Sequence, residues 1–126
     1  MKDDDKPNFF SGDNIAMKVP SHEFERVTEF YRDIICLPLI EHGDPDDSYQ
    51  SVVFEFGDKQ LWIDKIDHLS QAEIWLEIQS DDVEAAKSYF DGLSIDRRDE
   101  IEPLPKGFNG FWIANPAGII HLVSAT

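Results

Sequence analysis

The sequence of 126 residues predicts an α+β fold: two pseudo-symmetric βαβββ modules forming a concave mixed sheet with helices on its outer face. Three observations lead there. A faint repeat at an offset of 59 residues lays Asn14-Ile15-Ala16-Met17-Lys18-Val19 over Glu73-Ile74-Trp75-Leu76-Glu77-Ile78. Each copy then runs into Ser and an amphipathic helix, and Phe24, Val27, Tyr31 and Ile34 fall on Val83, Ala86, Phe90 and Leu93 at helical spacing. Strand-like segments outnumber the helices, so two helices cover one face of a combined sheet, and ordinary twist leaves the other face concave.

Residues 1–12 read as a disordered acidic tail, and 13–126 as a single domain with modules at about 13–66 and 73–125. Ile15, Met17 and Val19 alternate with Asn14, Ala16 and Lys18, the period of a half-buried strand. Pro20 and Ser21 end it and begin a helix over about 21–35, with Ser21 as N-cap. Leu37–Ile40 opens a second strand, and Gly43-Asp44-Pro45-Asp46-Asp47 is a loop by composition. Ser51–Phe56 and Gln60–Asp64 form a hairpin about Gly57-Asp58-Lys59. The second copy repeats the order: a strand over Glu73–Gln79, then a helix from Asp81 to about Gly92 capped by Ser80. A polar edge strand follows over Ser94–Ile101. After the break at Pro103–Gly107 come a strand over Phe108–Ala114, a tight turn at Asn115-Pro116-Ala117-Gly118 and a last strand over Ile119–Val123.

Eleven basic against twenty-six acidic residues give a formal charge of −15, which repels nucleic acid and anionic membranes. The single cysteine, Cys36, excludes an intrachain disulfide and fits a reducing compartment, so a cytoplasmic location is expected. Its neighbours Ile34, Ile35 and Leu37 mark it as a buried packing residue. No apolar run is long enough to span a bilayer, and the N-terminal residues lack the apolar stretch of a secretory signal. His22, His42 and His68 are expected at the surface. Asp81-Asp82 sits where a helix N-terminus favours negative charge, and Asp46-Asp47 is loop solvation. Phosphate-binding glycine loops, Gly-x-Ser-x-Gly and Cys-x-x-Cys are all missing, so nucleotide binding and serine or thiol chemistry have no support.

The paired modules, the helix-ending phrase Phe30-Tyr31-Arg32-Asp33-Ile34-Ile35-Cys36-Leu37-Pro38-Leu39 and the Asn115-Pro116-Ala117-Gly118 turn resemble the vicinal-oxygen-chelate superfamily. That superfamily includes glyoxalase I, bleomycin-resistance proteins, fosfomycin-modifying enzymes and extradiol dioxygenases. The resemblance implies a homodimer acting on a small organic ligand, and in the enzymes a divalent metal on the concave sheet. Its ligand positions fall on Asn14, on Trp62 or Asp64, on Glu73, and on Leu122 or His121, which is not the usual donor set. Two readings compete. In one the metal is lost and no cofactor is needed: Asn14, Lys18, Trp62, Glu73, Trp75, Glu77 and His121 line an aromatic cleft for a flat or cationic ligand, as in bleomycin-resistance proteins. Cation–π attraction there is about 0.5–2 kcal/mol per contact. In the other, Asp64, Glu73 and His121 hold Zn, Mn, Fe or Ni for a lyase, isomerase or dioxygenase. A third class is a protein-interaction module whose concave face is filled by a partner or by the protein's own loops, with Pro103–Gly107 as the candidate plug. No catalytic residue is assigned.

Overall fold

The computed structural model describes residues 6–42 and 50–126. The Gly43–Asp47 loop, with Asp46-Asp47, lies outside the described residues, as do the side chain of His42 and the first five residues of the expected tail. The strands are β1 (Phe9–Pro20), β2 (Leu39–His42), β3 (Ser51–Phe56), β4 (Lys59–Ile66), β5 (Glu73–Ser80), β6 (Gly110–Ala114) and β7 (Ile120–Ala125). The helices are α1 (Phe24–Glu29) and α2 (Val83–Gly92), and parallel and antiparallel strand pairs coexist, so the chain is α+β. Contacts divide it into two units, Asp13–Trp75 and Leu76–Thr126 with the N-terminal segment through Gly12. That division falls inside β5, later than the expected end of the first module.

In the Asp13–Trp75 unit the strands run β2-β3-β4-β1. β1 and β4 are parallel, with Asn14 opposite Gln60 and Lys18 opposite Asp64. The β3–β4 hairpin turns at Gly57, whose φ of 65° is the left-handed conformation that favours glycine, and this turn sets Ser51 opposite Asp64. Alternation then sorts the side chains. Val19, Phe24, Val52, Phe54, Leu61 and Ile63 form a core with Ile15, Met17, Val27, Tyr31 and Leu37 against it. The expected helix over 21–35 is a single helical stretch of changing pitch: a 3₁₀ turn at Ser21–Glu23, α1, and a π-helical turn at Phe30–Ile34.

Two expectations fail in this unit. Ser21 is not a cap, because its hydroxyl reaches across to the Asp67 carboxylate and no side chain caps the 3₁₀ turn. Cys36 is exposed, not buried. Its φ of 63° turns the chain out of the helix, and the Leu37 N–H donates to the Tyr31 carbonyl at 2.9 Å, a helix-ending bond that carries the side chain away from the core.

In the other unit β5 and β7 are parallel, β7 and β6 antiparallel, and Val83, Ala86, Phe111, Ile113 and Val123 make the core. Residues expected in the tail are held here. β1 starts at Phe9, whose ring stacks on Phe90 at 5.3 Å, and the Asn8 amide donates to Asp81 at 2.8 Å. The cap of α2 is Asp82, accepting from the Ala85 N–H at 3.0 Å; Ser80 instead accepts from the Asp82 N–H at 3.2 Å, two residues too early to cap the helix. The expected strand at Ser94–Ile101 is reduced to a single bridge, Arg97 with Ile113. Its run of charged residues turns back on itself, with Ile101 N–H donating to the Arg98 carbonyl at 3.0 Å, which leaves little to extend a ladder.

Candidate functional site

Because Ile15, Met17, Leu61 and Ile63 point into the α1 core, period-2 alternation sends Asn14, Ala16, Lys18, Trp62 and Asp64 to the opposite face of the same unit. Direct contacts confirm it. The Trp62 indole N–H donates to Asn14 Oδ1 at 2.7 Å. Lys18 Nζ lies 2.8 Å from Asp64 Oδ2, and both side chains are almost wholly shielded from solvent, at 2% and 3% exposure. Ser51 donates to the other Asp64 oxygen at 2.6 Å. The Lys18 ammonium stands 4.2 Å from the centre of the Trp75 ring, and the Trp75 indole N–H donates to Glu73 Oε2 at 3.0 Å.

These contacts have a physical logic. A buried ammonium and a buried carboxylate each lose several kcal/mol of hydration, which their mutual attraction offsets only with good geometry and further hydrogen bonds. Ser51 and the electron-rich face of Trp75 supply those further contacts. Lys18 and Asp64 therefore cancel one another. Glu73 is exposed and, among the described residues, has no ion-pair partner; Glu55, opposite Gln60, is a second exposed carboxylate on this face. Trp62 is half-buried, Trp75 is buried, and Ala16, directly opposite Trp62 in the β1–β4 register, presents only a methyl group.

Of the residues expected at the site, the structure puts Asn14 against Trp62, and Lys18, Trp75 and Glu73 against one another, on the same face of this unit. Sequence reasoning missed Ser51. The signal was present in the Gly57-Asp58 turn, since counting outward along the hairpin sets Ser51 opposite Asp64. The remaining two expected residues lie in the other unit. Glu77 accepts from the Ser124 hydroxyl at 3.2 Å and approaches Gly12 so closely that a Cβ at Gly12 would come within 2.5 Å of it. His121 is opposite Ile113 and two residues from Val123, so it faces the α2 core, with Nδ1 3.1 Å from the Ile119 carbonyl. Glu77 is opposite Leu122, on the other face. Placing His121 with Glu77 is thus corrected by one residue of register, which reverses a strand's side chains.

Comparison with solved structures adds the fold's relatives. A hypothetical protein from Bacillus halodurans matches with a TM-score of 0.68 at 14% identity, over 94% of this chain and 95% of that one. An Mn(II)-bound glyoxalase from Novosphingobium aromaticivorans matches at 0.68 and 17% identity, over 94% of this chain and 40% of the other. Methylmalonyl-CoA epimerase from Mycobacterium tuberculosis matches at 0.63 and 13%, over 91% and 87%. This chain has the vicinal-oxygen-chelate fold. No family profile matches the sequence, and no curated protein does.

The vicinal-oxygen-chelate enzymes hold a divalent metal, and the residues here do not fit one. Asn14 Oδ1 already accepts the Trp62 N–H, an indole occupies the fourth-strand position, and the last-strand position on the Glu77 face is Leu122, a side chain with no donor atom. Asp64 is committed to an ammonium 2.8 Å away, which would repel a cation bound to the same carboxylate. His121, the imidazole of the alternative set, faces the α2 core. Among the described residues no group of three or more His, Cys, Asp or Glu is arranged to hold a metal ion.

Proposed function

We propose that this protein binds a flat, positively charged small organic molecule on the Trp62–Glu73 face, with no metal taking part. The observation that carries the reading is the fixing of two indoles on one face by acceptors, Asn14 for Trp62 and Glu73 for Trp75. Trp62 offers the half-exposed ring for stacking and Ala16 leaves room beside it. Trp75 is buried and serves differently: its N–H orients the Glu73 carboxylate, and its ring shields Lys18. With Lys18 neutralised by Asp64, the exposed carboxylates of Glu73 and Glu55 set the sign of the ligand.

A titration with N-methylquinolinium, a flat cation, tests the reading through indole fluorescence. Saturable quenching is expected, weakened about tenfold in Glu73→Gln, since a desolvated cation–π and charge contact contributes about 1–2 kcal/mol. Ala16→Leu should block binding while the fold persists. Quenching of equal strength in Glu73→Gln and Ala16→Leu would place the ligand elsewhere.

A further inference from the structure

Exposed apolar side chains are concentrated in one stretch of the Asp13–Trp75 unit. Ile34 is 73% and Ile35 49% exposed, and Phe30, Leu39 and Ile40 are between 39% and 46% exposed, all within the run that closes the first helical stretch and enters β2. Phe56 joins them at 47%. Contacts make these one surface. The Ile35 N–H donates to the Phe30 carbonyl at 2.9 Å, and the Phe30 ring lies 5.1 Å from that of Tyr31, which is 6.2 Å from that of Phe54. Leu39 is opposite Phe54 in the β2–β3 register, and Phe56, two residues on, stands on the same side of β3. The left-handed turn at Cys36 folds the helix end back beside the strand.

An exposed apolar surface of this extent is uncommon on a monomer. At their exposures the six side chains present on the order of 600 Å², the upper end of what an ordinary monomer shows in its largest apolar patch. Two copies meeting there would remove about 1,200 Å² in total, the lower bound of specific protein interfaces. Charge narrows the choice of partner. The chain carries −15 overall, yet the segment from Arg26 to Ile40 holds two arginines and two acidic residues, and Arg32 is paired with Asp33 at 2.8 Å. A basic partner is drawn to the acidic remainder of the chain and not to this neutral surface, and anionic lipid is repelled by the whole. A second copy is the partner for which neutrality matters, because two chains of the same sign approach closely only where neither presents net charge.

We propose that this surface is where two copies of the chain associate about a two-fold axis, with Ile34 of each inserted against the apolar residues of the other. The interface is isologous, so one patch supplies both sides. It leaves the Trp62–Glu73 face open, because Phe54 and Leu39 belong to the side of the sheet that packs on α1.

Sedimentation of the full chain over about 1–100 µM tests the proposal. A concentration-dependent dimer is expected, tightening as salt screens the like charges. Ile34→Glu, at a position too exposed to disturb the monomer, should weaken the dimer at least tenfold while circular dichroism shows the fold intact. Leu93→Glu, an exposed apolar residue at the corresponding place in the second repeat, should dimerise as the wild type does. Cys36 is exposed and the only cysteine, so a flexible bismaleimide should link two copies through it, and should fail to do so in Ile34→Glu. A chain monomeric throughout would overturn the proposal and leave the patch to a different partner. Ile34→Glu dimerising like the wild type, Leu93→Glu abolishing the dimer, a dimer that weakens with salt, or one that the reagent cannot link would also overturn it. None of these outcomes depends on a ligand at Trp62 and Glu73.

Discussion

At the scale of single residues, three side chains carry most of the argument. Cys36 looked apolar by its neighbours, but neighbours in sequence do not fix direction, and a φ of 63° at the helix end turns it outward. A left-handed non-glycine residue costs about 1–2 kcal/mol, so Cys36→Gly should raise stability by about 1 kcal/mol in urea unfolding. Asp81 was legible as helix-terminal charge, whereas its partner Asn8 was hidden in an apparent tail. The Asn8 side-chain amide and backbone N–H hold the Asp81 carboxyl below its ordinary pKa. A depressed folded pKa means stabilisation that is complete above the unfolded value of about 4 and is lost as pH falls through the folded value. An NMR titration should therefore find the Asp81 pKa higher in Asn8→Ala, and the melting temperatures of the two proteins should converge as pH falls through the folded Asp81 pKa. Lys18 was expected to face ligand and is instead buried against Asp64. Lys18→Met should cost about 3–5 kcal/mol by leaving that carboxylate unpaired, and the double variant Lys18→Met/Asp64→Asn should regain much of it. If the double variant is no more stable than the single, the pair is not the unit described.

Elements show where pattern reading succeeds and where it stops. β1 was visible from its period-2 alternation, β3 and β4 from the turn about Gly57 between two apolar runs, β5 from its repeat of β1, and α2 because its apolar residues recur at helical spacing. The cap of α2 was read two residues early: Ser80 and Asp82 are both good capping types, and only the backbone decides which side chain reaches the free N–H. Asp82→Ala should accordingly destabilise by about 1 kcal/mol in thermal unfolding, and Ser80→Ala by less. The polar strand at Ser94–Ile101 shrinks to the Arg97–Ile113 bridge, with the Arg98 N–H donating to the Trp112 carbonyl and the Ala114 N–H to the Asp96 carbonyl, because the Ile101 N–H then turns back to the Arg98 carbonyl and ends the ladder. The one-residue ambiguity at β7 decided the chemistry of His121. Register there comes from pairing with β6, which places Ile113, not Trp112, beside the imidazole.

For the whole molecule, the repeat of strand and helix was enough to read the fold, and the likeness to solved structures at 13–17% identity agrees with it. The site was partly legible. Face alternation put Asn14, Trp62, Glu73 and Trp75 on one face, while the neutralisation of Lys18 by Asp64, itself held by the Ser51 hydroxyl, required the strand register of a parallel and an antiparallel pair together. A formal charge of −15 adds a consequence for binding: attraction of a cation extends over about 10 Å at 0.1 M salt and shrinks to about 3 Å at 1 M. Affinity for a flat cation should therefore fall several-fold between those salt concentrations, and a neutral analogue should show little change. The most direct measurement follows the indole N–H resonances of Trp62 and Trp75 as N-methylquinolinium is added in excess EDTA. The account predicts saturable shifts of both, unaffected by the chelator and diminished in Glu73→Gln. Indoles that stay in place, or that move only when EDTA is replaced by Mn²⁺ or Zn²⁺, would contradict it.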